Sequence, residues 1–315
     1  MADREGRLMV TGACGQIGSE LTMALRERFG GDNVVAVGHV TEPSSTLRES
    51  GPFESADVRD FEALDRLADT YEVGAIYHLA AILSAKGEEN PSLAWDVNVN
   101  GLMNVLEIAR RRRLAQVFVP SSIAVFGPDV PKESAPQDAV LNPATIYGIS
   151  KRAGEGLARH YARRFGLDIR GLRYPGIISG ETLPGGGTTD YAVEIFYAAD
   201  SSGHYQCFVR EDTVLPMMYM PDCIRATLDL MDAPADGLSK PECYNVAGMS
   251  FSAGQLAQEI RHHLPGFTCS FVPDRRQAIA DSWPMRVDDH LARQEWNWTP
   301  SFGLASMVED MMARF

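Results

Sequence analysis

The sequence has few lysines, scattered cysteines and no long apolar stretch. Only four of its 29 lysines and arginines are lysines: Lys86, Lys132, Lys151 and Lys240. The five cysteines form no CxxC pair, which argues against a disulfide framework or a zinc site and favours reduced, buried thiols over a lone catalytic one. No stretch approaches the ~20 apolar residues of a membrane helix, and the polar start MADREG is unlike a signal peptide. We therefore expect a cytoplasmic protein with no membrane partner and no metal.

Positive charge is also in short supply. The formal net charge of -13 argues against nucleic-acid binding, which needs a basic face. The clearest basic run, at residues 110–113, follows an apolar helical pattern and is expected to be a solvated helix end. With 45% hydrophobic and 23% charged residues in 315, the chain is typical of a soluble globular protein of one large domain or two.

Short apolar runs alternate with helical patterns over the first 175 residues. The runs LMV, NVVAVGH, VGAIYHLAA, QVFVPSS and LDIRGLRYP predict strands, and the segments between them predict helices. Such near-continuous apolar strands predict an α/β fold with a doubly wound parallel (Rossmann) sheet covered on both faces. Further on, CFVRED and CYNVA predict strands, a helix begins at Asp222, and Ser252 with Gln255 predicts a capping box.

Three glycines lie between the first predicted strand and the first predicted helix. Gly12, Gly15 and Gly18 form GxxGxxG in TGACGQIG. Glycines let the backbone turn tightly and let a pyrophosphate approach the helix N-terminus, although a plain strand-to-helix turn is the alternative. We assign residues 1–175, with a return segment 207–247, to a dinucleotide-binding domain. Residues 176–206 and 248–315 are expected to form a smaller C-terminal substrate-binding cap.

One feature common in dinucleotide-binding sheets is missing. An acidic residue often stands ~20 positions after the glycines and binds the ribose hydroxyls of the adenosine. Here that place is taken by Gly38, and the nearest acid is Glu42. No Arg or Lys stands beside Gly38 to hold a 2′-phosphate. The sequence therefore weakens the case for NAD without building a site for NADP.

One of the scarce lysines stands four residues after a tyrosine, in YGISK. On a helix, Tyr147 and Lys151 share a face, and an ammonium near a phenol lowers its pKa from ~10. Such a tyrosine can take a proton from an alcohol, although a buried tyrosine beside a surface lysine is an equal alternative. Upstream, a predicted strand ends in Ser121 and Ser122, at the sheet edge where ligands bind. These hydroxyls either hold a substrate oxygen or are turn residues.

Together these motifs resemble the extended short-chain dehydrogenase/reductase superfamily. The segments TGACGQIG, ADVRD, HLAA, NVNG, SSIAVFG, YGISK and RYPGIIS follow its order and spacing across the N-terminal 180 residues. The later segments PGGGTTDYAVEIFYAA, MYMPDCIRATLDLM and DSWP resemble its short-chain L-threonine 3-dehydrogenases, relatives of the UDP-galactose epimerases. The resemblance implies NAD-dependent oxidation of L-threonine at C3 to 2-amino-3-oxobutanoate. A UDP-sugar epimerase or dehydratase, or a noncatalytic dinucleotide sensor, is the alternative on the same scaffold.

The resemblance also implies roles for individual residues. Tyr147 would be the general base, Lys151 would bind the nicotinamide ribose and lower the tyrosine's pKa, and Ser122, or Ser121 in its place, would be the catalytic serine. The residues implied to bind NAD, besides Tyr147 and Lys151, are Gly12, Gly15, Gln16, Ile17, Gly18, Asp57, Val58, Leu79, Ala80, Ala81, Asn98, Tyr174, Pro175 and Ile177. The residues implied to bind substrate, with Ser121, Ser122 and Tyr147, are Ser84, Thr188, Thr189 and Asp190.

Two of the implied features depend on larger segments. The cluster at residues 188–190 follows a glycine run and is expected to act as a lid over the substrate, with a mobile surface loop as the alternative. The helices predicted at 92–113 and 144–165 pair into the four-helix bundle of a homodimer in related enzymes. Otherwise they only cover the sheet.

Overall fold

The protein is described here from a computed structural model that covers residues 6–183 and 185–315. Its strands are β1 (Arg7–Thr11), β2 (Val34–Gly38), β3 (Phe53–Ser55), β4 (Val73–His78), β5 (Gln116–Phe118), β6 (Ser121–Ser122), β7 (Ile169–Arg170), β8 (Leu172–Tyr174), β9 (Gly176–Ile178), β10 (His204–Cys207), β11 (Val214–Tyr219), β12 (Tyr244–Asn245), β13 (Met249–Ser252) and β14 (Thr268–Phe271). Its α-helices are α1 (Gln16–Phe29), α2 (Ser45–Glu49), α3 (Phe61–Thr70), α4 (Ser84–Glu89), α5 (Pro91–Trp95), α6 (Gly101–Arg112), α7 (Ile146–Phe165), α8 (Tyr191–Ser202), α9 (Met220–Asp232), α10 (Ala253–His263), α11 (Arg276–Asp281), α12 (His290–Trp296) and α13 (Leu304–Met312). Among the helices of the described residues, none combines the length and the apolar character needed to cross a membrane.

The central sheet has six parallel strands in the order β3-β2-β1-β4-β5-β7. The residues of β1 show how the sheet is covered on both faces. Leu8 and Val10 pack with α1 and α9 on one face, and Met9 packs with α3 and α6 on the other. The strand order reverses between β1 and β4, which opens a crevice at the carboxyl ends of these strands. The predicted α/β class and doubly wound parallel sheet are confirmed.

Two predicted strands are each broken in two. QVFVPSS forms β5 and β6, separated by Val119 and Pro120, and LDIRGLRYP forms β7 and β8, separated by Gly171. A Cβ on Gly171 would overlap the carbonyl oxygens of Val119 and Glu242, so the backbones approach closely at the break. Beyond it, β6, β8 and β12 continue side by side as a parallel three-stranded sheet. The predicted strand VGAIYHLAA is β4, which ends at His78.

The second half of the chain corrects one prediction and confirms another. CFVRED is not a strand, because β10 ends at Cys207 and the next strand, β11, begins at Val214. The backbone between them bonds elsewhere: the carbonyl of Phe208 accepts from the N–H of Asp274, and the N–H of Arg210 donates to the Gln277 side chain. The capping box of α10 is present as predicted, with Ser252 and Gln255 bonded in both directions.

The C-terminal helices pack in two places. Apolar residues of α8, α10 and α13 form one large core cluster with strands β9, β11 and β13. Helix α12 packs instead against the sheet side, where Trp296 and Trp298 join the core that holds Tyr244. The elements of the C-terminal half therefore contact both the main sheet and a separate core of their own.

Candidate active site

The glycine turn after β1 has a geometry that side chains cannot adopt. Gly12 has a φ of 71°, and a Cβ there would meet the backbone of Ala80. A Cβ on Gly18 would overlap the carbonyl oxygen of Gly12. Gly15 lies at the N-cap of α1 without a side-chain cap. The turn is therefore pressed against the segment after β4, and backbone N–H groups are left at a helix N-terminus.

The first turn of α1 offers hydrogen-bond donors and no negative charge. No acidic residue lies in it, and the Nε2 of Gln16 is buried without a hydrogen-bond partner among the described residues. Ile17 packs into the core beside this turn. A pyrophosphate is the kind of group that such a positive helix end and an unpaired amide donor suit. These residues fit a dinucleotide.

The segment after β4 is held between the glycine turn and α7. The N–H of Leu79 donates to the carbonyl of Thr11 at 2.9 Å. Asn98 lies in a π-turn, Asp96–Asn100, between α5 and α6. Its amide accepts from the N–H of Ile82 at 2.8 Å and donates to the Ile82 carbonyl and to the Ser150 hydroxyl, both at 3.0 Å. Asn98 thus fixes the end of the segment that contains the three residues at 79–81.

The packing at the end of β2 explains why Gly38 stands where dinucleotide-binding sheets often have an acidic residue. A Cβ on Gly38 would lie 2.7 Å from the Cys14 sulfur and 3.0 Å from the Phe53 ring, so these side chains fill the space. Nearby, the Asp57 carboxylate accepts from the Arg59 guanidinium at 2.6 Å, which holds the pKa of this carboxyl below its usual value. It also lies 3.4 Å from the Nε2 of His39.

Val58, the neighbour of Asp57, is buried against α6. Its side chain lies where a Cβ on Gly101 would be, and its carbonyl accepts from the Asn104 amide at 3.0 Å. Its packing side chain therefore faces the core, and its backbone ties the loop after β3 to α6.

Tyr147 and Ser122 are brought together by the start of α7 and the end of β6. Thr145 caps α7 by accepting from the N–H of Gly148 at 3.0 Å. Burial raises the pKa of Tyr147 to about 12, and a hydrogen bond with the Ser122 hydroxyl acts in the opposite direction. Ser122 in turn accepts from the N–H of Ala124 at 3.2 Å. The structure therefore places the Ser122 hydroxyl within hydrogen-bond reach of the Tyr147 phenol.

Lys151 lies near Tyr147 but hydrogen-bonds elsewhere. Its Nζ is 5.7 Å from the centre of the Tyr147 ring and donates to the carbonyl of Pro120 at 2.8 Å. Burial lowers the pKa of Lys151 to about 8. Burial and the Ser122 hydrogen bond are the causes of the shift in the pKa of the phenol, so the lowering of this pKa by the Lys151 ammonium stays a prediction. No sequence signal pointed to Pro120 as the acceptor.

His78, at the end of β4, is a buried neutral group beside Lys151. Its Nδ1 lies 2.8 Å from the Thr11 hydroxyl. Burial first, and then the Lys151 ammonium, lower the pKa of His78 to about 3. It therefore carries no charge at neutral pH.

Ser121 faces away from Tyr147. It is buried, and its hydroxyl donates to the Glu155 carboxylate at 2.6 Å. Glu155 pairs with Arg173 through two contacts of 2.8 and 2.9 Å. The structure therefore does not bring Ser121 to the site where Ser122 lies, because adjacent strand residues point to opposite faces. Sequence reasoning missed Glu155 and Arg173, although Glu155 follows Lys151 by one helical turn.

The candidate substrate residues separate into two groups. The hydroxyls of Ser84 and Thr188 are buried and lie 3.0 Å apart. The Asp190 carboxylate is bound within its own loop, where it accepts from the N–H groups of Gly186 at 2.8 Å and Gly187 at 2.7 Å. Burial raises the pKa of Asp190, and these two N–H groups act in the opposite direction. The Asp190 carboxylate therefore fixes the conformation of the glycine run that precedes it.

The rest of the same motif is only partly described. Thr189 packs where a Cβ on Gly176 would lie. Pro184 of the quoted PGGGTTDYA segment lies outside the described residues, as do residues 1–5 of the predicted first domain.

The residues at 174–177 lie beside β6 with their side chains mostly in the core. Tyr174 pairs in register with Ser122, and its hydroxyl hydrogen-bonds with that of Thr227. Burial raises the pKa of Tyr174 well above its usual value. Pro175 joins β8 to β9, and Ile177 packs against the same core. The Tyr174 ring is therefore buried in the core.

Comparisons with known proteins point to one family. The NAD dependent epimerase/dehydratase family matches residues 8–247. Over 312 residues the chain is 46% identical to the mitochondrial L-threonine 3-dehydrogenase of Bos taurus. This alignment covers 99% of the present chain and 83% of the bovine protein. The GalE-like L-threonine dehydrogenase from Cupriavidus necator, in its holo form, has a TM-score of 0.94, 50% identity and coverage of 98% and 99%. A monomeric L-threonine 3-dehydrogenase from a metagenome database, in its apo form, has a TM-score of 0.94, 51% identity and 97% coverage of both chains.

Proposed function

Because the chain belongs to the NAD dependent epimerase/dehydratase family, we propose that it is an NAD-dependent L-threonine 3-dehydrogenase. The observation that carries this proposal is the meeting of Tyr147, Ser122 and Lys151 at the carboxyl edge of the parallel sheet. The similarity to L-threonine 3-dehydrogenases extends over the whole chain, so the C-terminal half that would contact substrate is included. The reaction converts L-threonine to 2-amino-3-oxobutanoate.

NAD would be held at the glycine turn and along the crevice. The N–H groups of the first turn of α1 and the unpaired amide of Gln16 would bind its pyrophosphate, and Gly12 lets the turn before them pack tightly against Ala80. When bound, NAD supplies the acceptor for the hydride that leaves C3 of the substrate. Asp57, the segment at 79–81 and the backbone at 174–177 would line the rest of its length.

The protein's own part in the chemistry is to remove the hydroxyl proton. Tyr147 would take that proton, and the Ser122 hydroxyl would hold the substrate oxygen next to it. A phenol with a pKa of about 12 is a poor proton acceptor at neutral pH, so its pKa must fall for catalysis. The Ser122 hydrogen bond acts in that direction. An ammonium on Lys151 that turned from the Pro120 carbonyl toward the phenol would add to it.

The amino-acid part of the substrate needs groups for a carboxylate and an ammonium. The paired hydroxyls of Ser84 and Thr188 would bind it, and the glycine run that Asp190 holds would close over it as a lid. In this arrangement Asp190 shapes the lid and Ser84 and Thr188 contact the substrate. The division into a dinucleotide-binding domain and a substrate-binding cap, with the boundaries given above, is part of the same proposal.

We also propose a cytoplasmic homodimer. Leu93 and Trp95 on α5 and Ile149 and Phe165 on α7 are apolar residues with exposed fractions of 36% to 43%. They lie on the helices expected to form a four-helix bundle, and a second copy would cover them. One similar enzyme is described as monomeric, so light scattering across a range of protein concentrations is the deciding measurement.

The experiment that tests the function compares substrates. NADH formation is followed by absorbance with L-threonine, D-threonine, L-serine and L-allo-threonine, and epimerisation of UDP-galactose is assayed beside it. L-Threonine is expected to be clearly the best substrate. Turnover of UDP-galactose without any response to L-threonine would overturn the proposal.

The role of Tyr147 is tested by Tyr147→Phe, which removes only the phenolic oxygen. Turnover should fall at least ~100-fold, the low end for a positioned acid–base group, while NAD binding is retained. Tyr161→Phe is the matched control, because Tyr161 lies on the same helix and its hydroxyl bonds to Glu107, outside the site. Near-normal turnover in the Tyr147 variant would refute its role as the base.

A further inference from the structure

A second cavity, of about 720 Å³, opens beside α7 and is lined by neither Tyr147 nor Lys151. One side of α7 forms a wall, and Arg173 with the segments 137–141 and 239–243 forms the rest. We call it the anion cavity. Its volume lies within the range of about 300–1,000 Å³ that is usual for small-molecule sites.

The anion cavity has an excess of positive charge in an acidic protein. Its charged lining consists of five cations and three carboxylates: Arg152, Arg159, Arg163, Arg173, Lys240, Asp138, Glu155 and Glu242. Each carboxylate is paired with one cation, as Arg159–Glu242 at 2.7 Å, Arg173–Glu155 at 2.8 Å and Lys240–Asp138 at 2.8 Å. The chain as a whole has a net charge of -13, so this local surplus of cations stands out.

Two arginines supply the surplus. Arg152 and Arg163 are exposed, and within residues 6–183 and 185–315 neither has an acidic partner within 4.0 Å. They are eleven positions apart on α7, about 16 Å along the helix axis, with Arg159 on the same face between them. A guanidinium binds phosphate or carboxylate oxygens through two parallel hydrogen bonds. The three arginines therefore form a row of anion-binding groups along one wall.

A glycine keeps the space in front of this row open. Gly156 lies on the same face of α7, and a Cβ there would meet no atom of the described residues within 4 Å. Glycine weakens a helix interior, so its presence usually has a packing or functional reason. Gly154 has a packing reason, since a Cβ on it would lie 3.1 Å from the Leu102 side chain. Gly156 has no such contact within its own chain. It lies two turns after Ile149 on α7, where the proposed second copy would pack, and it also borders the anion cavity.

We propose that the anion cavity binds a small organic anion with two or more phosphate or carboxylate groups. Arg152 and Arg163 bind its ends, and Arg159, which shares its charge with Glu242, binds it between them. The exposed position of Arg152 and Arg163 lets the ligand enter from solvent. The proposal does not depend on which substrate the enzyme oxidises.

The test is isothermal titration calorimetry, in which the full chain is titrated with inorganic pyrophosphate and, separately, with citrate. Saturating NAD is present throughout, so that pyrophosphate cannot register at the glycine turn. Saturable binding of at least one anion is expected, and the Arg152→Gln/Arg163→Gln variant should weaken it more than tenfold, because two charge-assisted contacts are lost. Gly156→Glu should abolish it by filling the cavity with a carboxylate.

The matched control is Arg164→Gln, which removes an arginine of the same helix that does not line the cavity. The affinity of the Arg164→Gln variant for each anion should equal that of the unmodified protein. Binding of pyrophosphate alone assigns a phosphate ligand, and binding of citrate alone assigns a carboxylate ligand. Absence of saturable binding of both anions at millimolar concentration, or equal affinity in the double arginine variant, overturns the proposal. Because both arginines are exposed, that variant should fold, which circular dichroism verifies.

Discussion

Replacing Glu155 by glutamine should destabilise the protein more than its single lost charge suggests at first sight. The side chains of Glu155 and Arg173 are each only 4% exposed. The Glu155 carboxylate accepts from the Ser121 hydroxyl at 2.6 Å and from two Arg173 nitrogens at 2.8 and 2.9 Å. Glutamine keeps the size but leaves a buried guanidinium without its counter-charge. Removing one partner of a buried pair costs about 3–5 kcal/mol.

Two further variants separate the charge from the hydrogen bonds. Ser121→Ala removes one donor to the carboxylate and leaves the ion pair intact, so it should cost about 1.5–3 kcal/mol, the range for a hydrogen bond to a charged group. Glu155→Gln/Arg173→Met removes both charges and should cost less than the sum of its two single changes.

The measurement is urea unfolding of each variant, with the slope of the transition checked for constancy. If Glu155→Gln costs no more than Ser121→Ala, the buried ion pair is worth no more than one hydrogen bond and the reasoning fails. An additive double variant would equally refute the coupling.

Two other changes test the site itself. Ser122→Ala removes the hydrogen bond that opposes burial, so the pKa of Tyr147 should rise further and the ascending limb of kcat/KM against pH should move to higher pH. An unmoved limb would show that the serine does not tune the phenol. Gly38→Asp should cost about 1–3 kcal/mol in urea unfolding, because its Cβ would lie 2.7 Å from the Cys14 sulfur, and adding Cys14→Ala should recover part of that loss. In that double variant the ratio of kcat/KM for NAD to that for NADP should rise about tenfold by repulsion of the 2′-phosphate, and an unchanged ratio would place the ribose elsewhere.

The parts of the site that the sequence predicted are those set by local chain geometry. The glycine turn follows from the spacing of Gly12, Gly15 and Gly18 between a strand and a helix, and the shared face of Tyr147 and Lys151 follows from helical periodicity. Ser121 and Ser122 could have been separated too, because neighbours in a strand point to opposite faces. That signal was in the sequence and decides which serine meets the phenol.

The parts that the sequence missed depend on contacts between distant segments. The predicted strand QVFVPSS breaks at Val119 and Pro120, where Gly171 closely approaches the backbones of Val119 and Glu242. Pro120 is a local signal of the break, but the approach of Gly171 is not. CFVRED looks like a strand, but its backbone bonds to Asp274 and to the Gln277 side chain, more than 60 residues later. The pKa of Tyr147 rises because the fold buries the ring, and burial is not a property of spacing.

The π-turn at Asp96–Asn100 also sets the rotational phase of the helical rod that α5 and α6 form around it. A π-turn contains one residue more than an α-turn, and one residue corresponds to about 100° of rotation. Whatever follows the turn is therefore rotated relative to what precedes it. The rod packs on α7 along its length, and α6 also packs on α3 and β4. Deleting one residue from the turn would restore a regular helix and carry the apolar stripe of Leu102, Val105 and Ile108 off the sheet, so the irregularity is a condition for one rod to cover two partners.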